Sequence, residues 1–529
     1  MASVLLAFAT AGRRDTLAPA VQSLVHNALE HGHEPRVVIA TDAAGAVPRP
    51  VRDAVAALDE PGRPRVEQTG RQGSRVRSRV IDIAARRGLV TRIADSVGNA
   101  DLGEALEFAL VPEPDARRLP GPGCNHNALL LATAGELYVS TDDDVVAEPA
   151  LGPGAAGPAT SGAPDAEEPR RRERWPDASD GASDPKRPAP RTEARLPDGT
   201  SVEVTLSHLA HGLRFHADRR AAAADVIPVA RDIVGSHLAL AGRTGAEVFG
   251  PDVATAASGR VLISTAGAYG DSGMGSPRTV LALSGADRDH ACATDERYRG
   301  LRLSRALVRS SPVTRVGPST HLMLMQAAMD NRVVLPPHFP IGRNSDGLFA
   351  VMVRIVHPGS LTGFQDFALR HEPPEEHVFA TDEIHRWRPY PTDLVMHLVV
   401  ALAPSLPATD AADRLVALGT ALEEIASGST SEFVSTVHGL WLNTATHHTE
   451  QLEGLLERYE RRPETWAADV VRFNAAAYEM MQEPGSLFGE VGCGMSAEEL
   501  RKAVGRYGRV LAVWPRAWEE GVRAGSAWR

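Results

Sequence analysis

Residues 123–146 read GCNHNALLLATAGELYVSTDDDVV, a sequence that holds two regular elements and a run of three aspartates. Asn125 to Thr133 has the composition of a buried helix, and Gly135 suits the position just after a helix ends. The next residues, Glu136 to Thr141, predict a strand, in which Leu137, Tyr138 and Val139 are the apolar part. A helix that leads directly into a buried strand is typical of α/β proteins.

The N-terminal residues predict a second unit of the same kind. Val4 to Ala9 is a continuous apolar run, as expected of a strand covered on both faces. A helix with one apolar face begins near Thr16, and Arg36 to Asp42 is a second buried strand that ends on an acid. This is a βαβ unit, and parallel sheets bind ligands at the carboxyl ends of their strands.

The rest of the chain divides by composition. Residues 1–146 form the first half of an α/β domain, and residues 199–400 form its second half. Residues 147–198 are rich in Pro, Gly, Ala, Ser, Asp and Arg, so we expect a disordered low-complexity insertion. Residues 401–529 have helical periodicity and predict a C-terminal helical region. Within the second half, the pattern predicts strands at 201–206 and 261–265 and an apolar helix around 321–329.

Size and charge restrict the class of protein. The chain has 529 residues, which suggests two or three domains, and 43% of them are hydrophobic. A formal net charge of -11 argues against a nucleic-acid-binding protein, which needs a basic face. Three widely spaced cysteines favour a reducing compartment, and no apolar stretch has the length of a membrane span. We therefore expect a soluble, cytoplasmic protein.

The strongest chemical signal is the run Asp142, Asp143 and Asp144 at the end of a predicted buried strand. Adjacent carboxylates repel each other and are costly to desolvate, whereas a divalent cation such as Mg²⁺ or Mn²⁺ removes that cost. Alternate side chains of a strand share a face, so Asp142 and Asp144 can serve one site while Asp143 points elsewhere. The alternative is an acidic turn exposed to solvent.

Residues 123–146 and the N-terminal unit together resemble the family 2 glycosyltransferases. In that family, a Gly and an Asn near a helix start lead through an A-x-G-E-Y-like segment to a D-x-D motif. Here these positions correspond to Gly123, Asn125, residues 134–138 and the three aspartates. The resemblance implies a GT-A fold, which is Rossmann-like with a mostly parallel doubly wound sheet. It also implies that residues 1–146 bind a nucleotide sugar and that residues 199–400 form the acceptor side.

The resemblance also implies roles for individual residues. Asp144 would bind Mn²⁺ or Mg²⁺ at the diphosphate, and Asp142 would contact the ribose or share the metal. Asp42 lies where the family places its contact to uracil or ribose, which favours a UDP-sugar, and Arg13 or Arg14 would reach a phosphate. The whole set that we expect to bind the nucleotide sugar is Thr10, Arg13, Asp42, Asn125, Asp142 and Asp143.

Two further residues complete the site that the resemblance implies. Asp346 begins an apolar helix, where inverting enzymes of this type carry the carboxylate that removes the acceptor's proton. The alternative role for Asp346 is that of a helix N-cap. His371 follows at the distance where many such enzymes return a histidine to the metal, with His357 and His385 as weaker candidates.

The Gly-rich stretch 267–275 lacks a P-loop ending, so we expect an acceptor-side loop or a plain turn.

We therefore expect a metal-dependent, inverting glycosyltransferase that uses a nucleotide-sugar donor. The acceptor is open, with a peptide or a small natural product as the expected class. Two alternatives stand beside this hypothesis. One is a sugar-phosphate nucleotidyltransferase, which shares carboxylate–metal chemistry, and the other is a sugar-nucleotide-binding module without turnover.

Overall fold

A computed structural model of the chain describes most of the molecule in detail. The described residues are 3–11, 15–43, 46–59, 76–97, 100–113, 122–151, 191–195, 201–205, 214–216, 226–249, 259–271, 273, 276–283, 285–311, 314–318, 322–373, 378–407 and 409–525. No helix in these ranges is both long enough and apolar enough to cross a membrane.

The strands of the described ranges belong to one sheet. In chain order they are β1 (Ser3–Thr10), β2 (Glu34–Thr41), β3 (Arg77–Ile81), β4 (Leu137–Asp142), β5 (Val145–Leu151), β6 (Arg191–Arg195), β7 (Ser201–Thr205), β8 (Arg214–His216), β9 (Ile227–Pro228), β10 (Val261–Asp271), β11 (Ala306–Ser310), β12 (Thr314–Gly317), β13 (Gln326–Asp330) and β14 (Leu361–His371).

The α-helices cover the sheet and continue beyond it at the C-terminus. In chain order they are α1 (Leu17–Glu30), α2 (Arg49–Asp59), α3 (Ile83–Val97), α4 (Ala100–Leu110), α5 (Gly123–Ala132), α6 (Ile233–Leu238), α7 (Gly245–Phe249), α8 (Gly285–Ala291), α9 (Asp295–Leu301), α10 (Ser345–Val356), α11 (Pro391–Leu402), α12 (Ala411–Ser427), α13 (Thr430–Arg458), α14 (Glu464–Gln482) and α15 (Ala497–Gly525).

The sheet is mixed, and its parallel part is formed by the first four strands. These lie in the order β3-β2-β1-β4 with every neighbouring pair parallel. Next to β4, the strand β13 runs antiparallel, followed by β10 and β14, which are parallel to each other. The predicted α/β class and C-terminal helical region are confirmed, whereas the later strands are joined by both parallel and antiparallel pairings.

Alternation along β1 explains why helices cover both faces of the sheet. Val4, Leu6 and Phe8 pack against α1 and α2 in one hydrophobic cluster. The intervening residues, Leu5 among them, join a second cluster that includes α3, α4 and α5. Successive side chains of a strand point to opposite faces, so a strand that is apolar at every position needs a cover on each side. This double cover leaves the strand ends as the place for a ligand.

Three expectations from the sequence differ from the structure. The predicted helix around 321–329 is instead the strand β13, which is buried between β4 and β10. A short run that is apolar at nearly every position fits a buried strand as well as a helix. The strand β5 extends to Leu151, past the boundary drawn at 146, and β6 lies inside the segment 147–198 that was expected to be disordered. Residues 152–190 of that segment lie outside the described residues.

The C-terminal helices share the hydrophobic core of the sheet. Trp514, on α15, donates a hydrogen bond from Nε1 to the carbonyl of Leu335 at 2.8 Å, and the Tyr507 hydroxyl donates to Pro337 at 2.7 Å. Both aromatic side chains are fully buried and have their polar atoms satisfied. Helix α15 therefore holds the segment that leads into α10 and Asp346.

The helices α12 and α15 cross at a pair of glycines, which predicts a large effect of added volume. A Cβ at Gly508 would lie 2.6 Å from the carbonyl oxygen of Gly419 and 3.0 Å from the amide nitrogen of Glu423. We expect Gly508→Ala to lower the free energy of unfolding by about 3 kcal/mol, because two helix backbones must separate. Gly454→Ala on α13 is the control: its Cβ meets no atom within 4 Å, so we expect a gain of up to about 1 kcal/mol. Equal stability of the two variants by guanidinium denaturation would contradict this crossing.

A buried histidine makes stability depend on pH. His237 is fully buried, with Nε2 2.6 Å from the Gln326 side-chain oxygen and Nδ1 3.0 Å from the Ser264 hydroxyl. Burial lowers the pKa of His237 to about 4, although both hydrogen bonds oppose the shift. Because the unfolded chain takes up this proton near pH 6.5, stability present above that pH is lost as the pH falls towards 4.

We expect His237→Gln to remove about 3 kcal/mol of this acid destabilisation. The variant is less stable at pH 7, but its free energy of unfolding should fall less steeply between pH 7 and pH 4 than that of the natural chain. Denaturant titrations across this range measure the difference, and the exposed His26→Gln serves as the control. Parallel stability profiles for His237→Gln and the natural chain would contradict the assignment.

Candidate functional site

The parallel part of the sheet has a topological switch point at β1. The chain runs from β1 to β2 and β3 on one side, whereas β4 lies on the other side. Open α/β sheets bind ligands in the crevice outside the carboxyl ends of strands at such a point. Thr10 is the last residue of β1 and Asp142 is the last residue of β4, so two predicted site residues lie at this edge.

The turn after β4 sends two adjacent carboxylates in different directions. The Thr10 hydroxyl donates a short hydrogen bond to Oδ2 of Asp143, which ties the turn to β1. Oδ1 of Asp144 lies 3.2 Å from Nε2 of His371, at the end of β14. Asp143 and Asp144 are 7% and 6% exposed, so these are buried carboxylates and the alternative of an acidic turn exposed to solvent is wrong.

The sheet fixes the orientation of the His371 ring. Nδ1 lies 2.7 Å from the carbonyl oxygen of Asp271, and because a carbonyl only accepts, Nδ1 carries the hydrogen. Nε2 is then the atom that faces Asp144. Gly270 pairs with His371 in the sheet at a φ of 103°, and a Cβ there would lie 2.5 Å from the His371 carbonyl oxygen. Burial lowers the pKa of His371, but the hydrogen bond and charge of Asp144 outweigh this and raise it.

The donor atoms at this edge fit one hard divalent cation. Asp144 offers a carboxylate oxygen, and neutral His371 offers the Nε2 lone pair beside it. Across the described ranges, no group of three or more His, Cys, Asp or Glu side chains is arranged to hold a metal ion. Mg²⁺ is commonly held by one or two carboxylates together with substrate phosphates and waters. The two-residue set therefore suits a cation that arrives with a phosphorylated ligand.

A buried arginine joins the other residues that are predicted to bind the nucleotide sugar into one hydrogen-bonded network, called the donor network below. Arg86, on α3, is fully buried and lies 3.2 Å from Oδ1 of Asp42. It also donates a short hydrogen bond to the side-chain oxygen of Asn125, whose nitrogen donates to the Thr10 carbonyl at 3.2 Å. The network thus runs from Asp42 through Arg86, Asn125 and Thr10 to Asp143.

Sequence reasoning missed Arg86 because it did not recognise β3 and α3. A signal was available: the helix that follows a parallel strand begins at the carboxyl edge of the sheet. Arg86 lies in the first turn of that helix, so a polar side chain there is placed beside the ligand-binding edge.

Asp346 lies in the first turn of α10, and its Oδ2 accepts a hydrogen bond from the Leu324 amide at 3.0 Å. The N-cap of this helix is Asn344, so the alternative role of Asp346 as an N-cap is wrong. Met325, which follows Leu324 in the chain, accepts a hydrogen bond at its carbonyl oxygen from the Asp142 amide at 2.9 Å. Leu324 and Met325 therefore connect Asp346 to the end of β4.

His126 connects Asp346 electrostatically to the donor network. Burial lowers the pKa of His126, and the charges of Asp346 and Asp42 oppose that shift. The His126 ring stacks on His338 with a centroid distance of 4.8 Å, and His338 stacks on Phe349 of α10 at 4.1 Å. A stacked row of His126, His338 and Phe349 therefore leads from α5 to the helix α10 that carries Asp346.

The Gly-rich stretch 267–275 is a strand at its start rather than a plain turn. Residues up to Asp271 belong to β10, and the Gly273 carbonyl accepts a hydrogen bond from Nη2 of Arg343 at 3.1 Å. A Cβ at Gly273 would lie 3.6 Å from Cε1 of His371. The described part of this stretch therefore borders the His371 side of the site.

The two weaker histidine candidates lie away from this edge of the sheet. His357 bonds to the Val334 carbonyl at 2.8 Å and His385 pairs with Asp469 at 2.7 Å, so both weaker histidine candidates are wrong. Asp142 is half-buried at the strand end, and Arg13 and Arg14 lie outside the described residues.

In comparisons with protein-family models, curated proteins and solved structures, no match to this chain was found.

Proposed function

We propose that the chain is a metal-dependent glycosyltransferase with a GT-A arrangement, which transfers a sugar from a nucleotide-sugar donor, with a UDP-sugar favoured. The observation that carries the proposal is the buried pair of Asp144 and His371 beside the Thr10–Asp143 bond at the switch point. Sites of this kind, at the carboxyl ends of β1 and β4, suit a nucleotide with its phosphates near the strand ends. The family 2 resemblance of the same residues supports this reading.

Asp144 and His371 would hold Mn²⁺ or Mg²⁺, with the Asp142 side chain next to them. A cation bound there acts as a Lewis acid that offsets negative charge on a departing nucleoside diphosphate. The Asn125 side chain donates to the Thr10 carbonyl, and the Thr10 hydroxyl donates to Asp143. Thr10 and Asn125 thereby fix the strand end and the direction of the Asp143 side chain. Such fixed ligands cost little reorganisation when the donor binds.

The nucleoside would lie over Asp42. This side chain is 17% exposed, follows the end of β2 and is held by the fully buried Arg86. A carboxylate oriented by an arginine accepts hydrogen bonds from a ribose hydroxyl or a base N–H in a fixed direction. Arg86 therefore positions Asp42, and Asn125 shares the same guanidinium.

Asp346 would act as the general base, which makes the transfer inverting. Its carboxylate is held by the Leu324 amide and lies one short segment from the end of β4. A base must lie within hydrogen-bond reach of the acceptor's proton, and this position is on the side of the site away from Asp42. The acceptor that we favour is a peptide or a small natural product.

We place the protein in the cytoplasm. Its three cysteines, Cys124, Cys292 and Cys493, are all buried and free, and burial raises the pKa of each thiol. Unpaired, unreactive thiols suit a reducing compartment.

Product analysis tests this function against its alternatives. The chain is incubated with Mn²⁺ and a panel of UDP- and GDP-sugars, and released nucleotides are identified by mass spectrometry. The proposal expects slow metal-dependent release of UDP or GDP even without acceptor. Release of pyrophosphate from UTP and a sugar 1-phosphate would instead identify a nucleotidyltransferase. Metal-dependent binding without either product, across peptide and small-molecule acceptors, would identify a binding module.

A further inference from the structure

A cavity of about 740 Å³ lies at the edge of the sheet opposite to the proposed donor site. Its walls include the start of β1 at Ser3, the residue Leu137 that begins β4, and residues of the segment that joins α6 to α7. Cavities that bind small molecules have volumes in this range. Seven residue steps separate Ser3 from Thr10 along β1, so this edge is about 23 Å from the carboxyl end of the strand.

The lining of this cavity is basic although the chain is acidic. It contains four arginines and two glutamates, which are Arg36, Arg77, Arg243, Arg332, Glu136 and Glu247. Four positive and two negative side chains give the lining a net charge of +2, whereas the whole chain carries -11. A concave surface of one sign concentrates ions of the opposite sign.

The two glutamates are already engaged by neighbouring groups. Glu136 forms a short ion pair with Arg36, in which the side chains are 18% and 23% exposed. Oε2 of Glu247 accepts hydrogen bonds from the Thr244 amide at 2.6 Å and from its hydroxyl at 2.8 Å. Neither carboxylate therefore needs a further cation, and Arg36 is held rigidly at the cavity wall.

The four arginines of the lining differ in their ion pairs with carboxylates. Arg332 is oriented by Asp330, with Nε 2.6 Å from Oδ1. Over the ranges that the structure describes, Arg77 and Arg243 make no ion pair within 4.0 Å, although both line the cavity and the charge of Arg243 acts on nearby Glu247. Two guanidinium groups oriented by carboxylates and two that form no ion pair make a set of planar hydrogen-bond donors of the kind that binds phosphate oxygens.

We propose that this cavity binds a small anion that carries two or more phosphate groups. The phosphate oxygens would accept hydrogen bonds from the guanidinium groups of Arg77 and Arg243. Arg36 and Arg332, which carboxylates already orient, would form the adjacent walls of the cavity. The site does not depend on the proposed transferase function, because it lies at the other end of the strands and holds no metal-ligand pair. It thus gives the chain a second anion site that works without a divalent cation.

Inorganic pyrophosphate is the probe, and calorimetry in the presence of EDTA is the measurement. The chelator removes any contribution from a metal-dependent site. We expect pyrophosphate to bind the natural chain, and the Arg77→Ala/Arg243→Ala double variant to bind about tenfold more weakly or worse. We also expect the affinity to fall as KCl is raised, since the donors are partly exposed.

The control carries the same change of charge at a distance from the cavity. Arg472→Ala/Arg516→Ala removes two exposed arginines from α14 and α15. This variant should bind pyrophosphate like the natural chain, and thermal melts should show both double variants folded. Absence of pyrophosphate binding to the natural chain, or equal weakening in the two double variants, would overturn the proposal.

Discussion

Asp144→Asn should abolish the Mn²⁺-dependent binding of UDP, with an affinity loss of about a hundredfold or more. The reason is that a neutral amide supplies a poor ligand to a hard divalent cation and removes the charge that draws the cation to the site. Asp144 is 6% exposed and faces Nε2 of His371 at 3.2 Å, so the substitution removes the charged member of the proposed ligand pair. Calorimetric titration with UDP and saturating Mn²⁺ measures the effect.

The control for this prediction lies on the next strand. Glu148→Gln changes an acid on β5 that is 52% exposed and pairs with Arg370 at the surface. We expect this variant to bind UDP with the affinity of the natural chain, because surface ion pairs contribute little. If Asp144→Asn bound UDP and Mn²⁺ as tightly as Glu148→Gln does, the metal assignment would be wrong.

Asp346→Asn should reduce turnover by a factor of about 10² to 10⁴ and leave nucleotide binding unchanged. Asparagine keeps an oxygen that can accept the hydrogen bond from the Leu324 amide, so the start of α10 retains its geometry. Only the ability to take the acceptor's proton is lost. The measurement is kcat with the donor that product analysis identifies, together with calorimetric UDP affinity in the same variant.

Two outcomes separate the possible roles of Asp346. Loss of turnover with unchanged UDP affinity supports the role of base. Turnover like that of the natural chain would show that another group takes the proton. The exposed Asp289→Asn on α8 is the matched control, since its side chain is 71% exposed and lies outside the site.

The elements that the sequence predicted best are those with a strong local pattern. The strand β1 is apolar at nearly every position, β2 and β4 contain the apolar runs 37–40 and 137–139, and α1, α5 and α12 to α15 have helical periodicity or clear ends. The position of Asp142 at a strand end followed from that pattern alone. Because parallel strands share a direction, Thr10 and Asp142 could be expected at one edge before any contact was known.

The elements that were missed depend on contacts between distant residues. β3 reads RSRVI, a polar strand that is recognisable only by its parallel pairing with β2. Without β3, the helix α3 and the buried Arg86 had no place in the predicted site. Likewise, β13 became a strand because β4 and β10 pair with it on both sides, which its own apolar residues do not reveal.

The sequence predicts which residues belong to the site, but it does not predict which of their side chains contact each other. The sequence indicates His371 by its distance along the chain from Asp346, and the structure brings it to Asp144 through the pairing of β14 with β5. The family resemblance implies that Asp143 binds the nucleotide sugar, whereas in the structure Asp143 accepts a hydrogen bond from Thr10, 133 positions away, and so holds the turn against β1. Such long-range bonds arise from the fold and leave no local pattern.

We propose that Asp144 and His371 form a metal-dependent nucleotide site at the carboxyl end of the sheet. Calorimetric titration of the natural chain with UDP, and separately with GDP, with and without Mn²⁺, tests it most directly. The account predicts that one of the two diphosphates binds tightly with Mn²⁺ and weakly or not at all without it. Failure of both to bind with Mn²⁺, or binding that is the same without the metal, would contradict it.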